Sequence, residues 1–183
     1  MTKLNAVQRL DLYRSVIEDL PFLFFRKFIW YVLARWIVSS YIPGTLWRKV
    51  VLRLFGAKIG SGGRIKPRVQ VTCPWNLIVG NSCWLGEGLW IDNISKVQLG
   101  NFVCVSQGVY LCTGNHNYRS KFFDLNSSPI LIHDEVWIAA FSIVAPGTVV
   151  REAAVIGLGS VISGEIPPKS IVRGNPSKVV GLR

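Results

Sequence analysis

From Ile59 onward the chain sets an aliphatic residue at every sixth position. The series runs Ile59, Ile65, Val71, Leu77; after a step of two residues it resumes as Val79, Leu85, Ile91, Val97. A second such step gives Leu99, Val105, Leu111, and beyond a break come Ile132, Ile138, Val144, Val150, Ile156 and Ile162. A small residue often follows, as at Gly60, Gly80, Gly100, Ser106, Ala139 and Gly157. This period matches neither the 3.6 residues of a helix turn nor the 2.0 of an open strand. It fits a β-solenoid in which each hexapeptide supplies one short strand and one corner, with the aliphatic side chain stacked inside. Spacing alone does not set the hand of the coil, and its flat faces invite association.

Residues 1–57 follow another rhythm and read as a helical, aromatic and basic extension, with the repeat domain over 58–183. Val7, Leu10, Ile17 and Leu20 recur at helical spacing and predict a helix ending at Pro21. Phe22 to Val38 is dense in aromatics, yet Arg26, Lys27 and Arg35 interrupt it on different sides, against a simple transmembrane span of roughly 20 apolar residues. Pro43-Gly44-Thr45 predicts a turn with Thr45 as N-cap, then a helix from Leu46 to Phe55 stopped by Gly56. Aromatic residues mixed with Lys and Arg leave two readings open. The segment packs on the coil or on a neighbouring subunit, or residues 1–55 touch a membrane surface.

Only 17% of the 183 residues are charged while half are hydrophobic, a further hint of burial in an oligomer or at a membrane. The net charge of +11 suits anionic partners, but the cations are spread out and no reading motif accompanies them, so nucleic acid is not expected. Four cysteines without CxxC spacing and two histidines in all predict no metal site. With no signal-peptide pattern at the start, reduced thiols and a cytoplasmic place, extending to the inner face of the membrane, are expected. Cys73, Cys83, Cys104 and Cys112 are then small apolar fillers.

The break in the period carries the chemistry. Ser106-Gln107-Gly108-Val109-Tyr110-Leu111-Cys112-Thr113-Gly114-Asn115-His116-Asn117-Tyr118 ends in a lone histidine inside a polar loop, inserted near 115–129. With Leu54-Phe55-Gly56-Ala57-Lys58-Ile59-Gly60, Val136-Trp137-Ile138 and Arg173-Gly174-Asn175-Pro176, this stretch resembles the hexapeptide-repeat acyltransferases of the left-handed parallel β-helix class. It is most similar to the colanic acid and polysaccharide O-acetyltransferases, relatives of the maltose and galactoside enzymes. The resemblance runs from about Leu46 to the C-terminus.

It implies a mainly β fold, a homotrimer, and acetyl-CoA-dependent acetylation of a sugar hydroxyl in polysaccharide biosynthesis. His116 would be the general base, as suits a group whose ordinary pKa is about 6.5. It places the carbohydrate acceptor near Asp92, Asn93, Asn115 and Tyr118. It places the acetyl-CoA arm along Trp137, Ala139, Ala140, Gly157 and Leu158, with Arg173 and Lys178 for phosphates. Two departures stand out: Ala139 replaces a glycine of many relatives, and Ser163-Gly164 replaces a Thr-Lys whose lysine meets the coenzyme. A different acceptor (a sugar-nucleotide amine, a serine-like hydroxyl, an antibiotic) and a non-catalytic scaffold stay open. A carbonic anhydrase on this coil would need three metal-binding histidines, and the chain has two.

Overall fold

Strands of two or three residues cannot satisfy their own backbone groups, so each hexapeptide depends on the coils above and below it. The computed structural model, which describes residues 9–13 and 21–183, shows three parallel walls of a prism. Face A stacks Lys58–Ile59, Leu77–Val79, Val97–Leu99, Ile130–Ile132, Val149–Val150 and Glu165–Ile166. Face B stacks Arg64–Ile65, Trp84–Leu85, Cys104–Val105, Trp137–Ile138, Val155–Ile156 and Ser170–Arg173, and is closed by the antiparallel strand Lys178–Leu182. Face C stacks Gln70–Val71, Trp90–Asp92, Tyr110–Cys112, Ile143–Val144 and Val161–Ile162.

The ladders put like on like. Ile65, Leu85, Val105, Ile138, Ile156 and Val172 form one inward column. Val71, Ile91, Leu111, Val144 and Ile162 form another. A second inner layer, two residues before each column, escapes the six-residue reading because its members are chemically mixed. Leu89 and Val109 share it with Cys83, Ala154, Ser142 and Ser160, all buried. Cys73 and Cys83 are thus interior fillers as expected. Cys104 and Cys112 are not: each neighbours an inward residue, Val105 or Leu111, so strand alternation turns it outward, half-buried.

All irregularities of the period fall at one vertex, between faces C and A. The first coil inserts the 3-10 turn Pro74–Asn76 there, and the second inserts residues around Asn93. In the third coil the chain leaves altogether, as the hairpin Gly114–His116 with Leu125–Ser127. Buried polar groups staple this vertex. The Cys73 amide donates to Asn93 Oδ1 at 2.9 Å, and Asn93 Nδ2 donates to the Cys73 carbonyl at 2.6 Å. Thr113 Oγ1 donates to the Asp92 carbonyl at 2.9 Å and accepts the Ser95 amide at 3.0 Å. Asn93, expected at the acceptor, is therefore wholly buried and committed to the corner.

The extension packs on the first coils. The helix α1 (Pro21–Ile29) passes through a π turn, Trp30–Ala34, into α2 (Arg35–Val38). Trp30, Ala34 and Val38 face inward, and Trp30 Nε1 donates to the Thr72 carbonyl at 3.0 Å. The helix α3 (Leu46–Leu54) buries Arg48, Lys49 and Leu52. The Arg48 guanidinium donates to the carbonyls of Val38, Ser40, Ile42 and Gly44, and Lys49 Nζ donates to that of Gly62. Thr45 sits at the N-cap position but does not cap: its hydroxyl bridges the Ile65 backbone, with both contacts at 3.3 Å. Gly56 takes a φ of +101° just past the helix end, which suits glycine. The helix expected over Val7–Leu20 lies mostly outside the described residues, of which Leu10–Leu12 form a 3-10 turn. No helix among the described residues is long and apolar enough to cross a membrane.

Asn93→Ala orphans the buried Cys73 amide, while the Cys73 carbonyl keeps the Asn76 amide as donor at 3.0 Å, so the cost is about 1–3 kcal/mol. Urea unfolding should show a loss of stability of that order, and a stability equal to wild type would refute the staple.

Candidate active site

His116 owes its position to the hairpin that replaces the third corner. The hairpin's root is fixed by Thr113 and by a 2.7 Å hydrogen bond from Ser95 Oγ to Ser127 Oγ, and its register sets His116 opposite Leu125. The imidazole stacks on Phe123, with centroids 4.2 Å apart and planes 6° from parallel, and meets the Tyr13 ring edge-on at 5.8 Å. Its Nδ1 lies 2.9 Å from the Phe123 carbonyl oxygen. A carbonyl only accepts, so Nδ1 carries the hydrogen and the neutral ring keeps its lone pair on Nε2. Nε2 has no hydrogen-bond partner among the described residues. The ring is half-buried, in a cleft of about 440 Å³ lined by Asn115, His116, Asn117, Tyr118, Arg119 and Asp124 with Leu125 and Asn126.

Of the expected acceptor residues, Asn115 and Tyr118 share this cleft. Asn115 Oδ1 accepts the His116 amide at 2.8 Å, so the side chain also shapes the turn. Tyr118 is exposed, with the Arg119 guanidinium over its ring at 5.6 Å. Asp92 stands at the root of the loop instead. Its carboxylate accepts from Thr72 Oγ1 at 2.9 Å and from the Tyr110 hydroxyl at 3.1 Å. Burial, with Cys112 and Asp92 beside it, pushes the Tyr110 hydroxyl above its ordinary pKa, so it stays a donor to that carboxylate.

A second concavity of about 570 Å³ runs along face B and its border with face C. It gathers Trp137, Ala139, Ala140, Gly157, Leu158 and Arg173, six of the residues expected to hold the coenzyme. Gly157 makes room for Arg173: a Cβ there would lie 2.6 Å from Arg173 Cγ. Lys178 is outside the lining but pairs with Arg173 across the terminal ladder. Ser106 and Gln107, quoted from the motif without a role, prove to be wall residues, and Trp137 Nε1 donates to Ser106 Oγ at 3.0 Å. Those three residues also border an adjoining groove of about 590 Å³ that reaches Cys104, Trp84 and Lys66. Trp84 carried no expectation, and Cys104, expected as an interior filler, borders this groove instead. Phe123 and Tyr13, which hold the imidazole, carried no signal, since their relation to His116 is purely spatial.

No protein-family model matches the chain. A protein of Escherichia coli strain K12 that carries the provisional name colanic acid biosynthesis acetyltransferase WcaF is 38% identical over 137 residues, 75% of either chain. The chain belongs to the hexapeptide-repeat acetyltransferase family. Within this family, the galactoside O-acetyltransferase of the same organism is 28% identical over 136 residues, covering 73% of this chain and 67% of its own. Among solved structures, a hexapeptide-repeat acetyltransferase of Vibrio cholerae O1 biovar eltor, complexed with acetyl coenzyme A, superposes over 100% of each chain with a TM-score of 0.79 at 16% identity. The acetyltransferase thus shares its coil with proteins whose sequences have diverged far from it.

Burial pushes the Cys104 thiol above its ordinary pKa, depleting the reactive thiolate at neutral pH. Iodoacetamide should therefore label Cys104 slowly near pH 7 and faster as pH rises through and beyond the usual thiol range, with Cys73 and Cys83 protected throughout. Peptide mass spectrometry reads this, and fast labelling at neutral pH would contradict it.

Proposed function

We propose that this acetyltransferase moves the acetyl group of acetyl-CoA to a sugar hydroxyl during polysaccharide synthesis, with His116 as general base. The observation that carries the reading is the pinned imidazole. With Nδ1–H held by the Phe123 carbonyl, Nε2 is the nitrogen left to take a proton in the cleft. An alcohol is a weak nucleophile until that proton is leaving. As Nε2 accepts it, the acceptor oxygen bonds to the thioester carbon; the carbon–sulfur bond then breaks, and the sulfur leaves with the proton returned from the imidazolium.

The name of the Escherichia coli relative supports a polysaccharide acceptor, and the Vibrio structure supports acetyl-CoA as donor. The face B groove is the donor site in this reading. Its small side chains let an extended arm run against the coil, and Arg173 with Lys178 take the phosphates. Asn115 and Tyr118 contact the acceptor, and Asp92 orders the ground beneath the loop through Thr72 and Tyr110. The groove follows face B, while the imidazole stands at the vertex between faces C and A. That separation supports a homotrimer, in which a neighbouring copy brings its groove to this histidine.

Thiol release from acetyl-CoA, measured with candidate sugars, tests the assignment. His116→Ala should lose about 10²–10⁴-fold in turnover while melting like wild type, and near-full turnover would eliminate His116 as the base. Arg173→Ala should raise KM for acetyl-CoA by about tenfold or more with kcat little changed, as loss of one charge-assisted contact implies. An unchanged KM would remove Arg173 from the donor site.

A further inference from the structure

The outer surface of the helical extension is built the wrong way round for water. In α3 the cations Arg48 and Lys49 point inward onto backbone carbonyls, and the aliphatic stripe Leu46, Val50, Leu54 points out. Phe28, Val32 and Trp36 form a second outward stripe with the same spacing of four, which keeps them on one helix face. Trp36 is 71% exposed and Leu54 70%. Single exposed apolar residues are ordinary, but two apolar stripes on successive helices mark a contact surface.

The charge around the stripes says what the contact is with. Between Pro21 and Gly86 the chain has ten Lys and Arg, of which Arg48 and Lys49 turn inward, and no Asp or Glu. Two such surfaces brought face to face would set cation against cation, which disfavours self-pairing here. An apolar patch on a segment this rich in cations and without acids, with Trp36 and Tyr41 among its exposed residues, has the chemistry of a protein surface resting on anionic lipid.

We infer that the helical extension seats the protein on an anionic bilayer, with the two stripes entering the boundary between headgroups and acyl chains. The outward cations of the segment, such as Arg53, face the lipid phosphates. This surface is separate from the imidazole cleft and from the face B groove, so the inference stands apart from the acetyl-transfer reading.

The test is flotation of the full-length protein with vesicles of phosphatidylcholine alone and of phosphatidylcholine with phosphatidylglycerol. Wild type should float with the anionic vesicles, less so at raised salt, and brominated acyl chains should quench its tryptophan emission, chiefly through Trp36 by comparison with Trp36→Phe. Val32→Glu combined with Val50→Glu should lower vesicle binding by more than tenfold while the melting temperature and the light-scattering mass stay as in wild type. Failure of wild type to float would overturn the inference, as would a double variant that floats normally or equal binding to both vesicle types. A double variant with a changed mass would show that the stripes are covered by another copy. Should the double variant unfold, quenching of the wild-type protein decides alone.

Discussion

The structure depends on one exchange of backbone hydrogen bonds, between each short strand and the strand one coil away. Strands such as Ile143–Val144 or Val155–Ile156 have no stability of their own, and neither does a single turn of the prism. The coil persists because the register that pairs their amides also stacks Ile on Ile and Leu on Val in the interior, so burial and hydrogen bonding select the same alignment. Corners must then approach very closely. At Gly80 a Cβ would lie 2.3 Å from the Gly100 carbonyl oxygen, so the glycine after Val79 is a steric requirement.

This redundancy is why the coil could be read from the chain. Every turn repeats the same demand at the same interval, and one wrong residue does not erase the signal. The inner layer two residues earlier was harder to see, because polar residues are accepted there when a corner carbonyl is within reach. Ser160 and Ser142 both donate to the Gly157 carbonyl, at 2.7 and 3.0 Å, and are as buried as valines. Asp92 and Asn93 are adjacent and equally polar in the sequence. Folding separates them, since the side chain that enters the corner meets the Cys73 backbone and the other meets two hydroxyls. Nothing in their spacing could distinguish them.

The histidine was legible through the motif around it, whereas what disciplines it was not. Phe123 lies in the loop just before the hairpin's far strand and Tyr13 about a hundred residues upstream, and together they fix the plane of the ring. The carbonyl on Nδ1 fixes its tautomer. A neutral imidazole left to itself distributes its proton between two nitrogens, so this contact selects the form with an open Nε2 before any ligand arrives.

The same economy explains why the loop leaves the coil where it does. A long excursion at a regular corner would strip neighbouring strands of their partners. The vertex between faces C and A already carries extra residues in the first two coils, held by the side chains of Asn93 and Thr113 rather than by the ladder alone. The third coil enlarges a corner that side chains have already learned to close. Face A resumes at Ile130–Ile132 in register with Val97–Leu99, so the interior columns run past the insertion unbroken. The prism can thus present an irregular, polar, histidine-bearing loop without giving up any rung of its core.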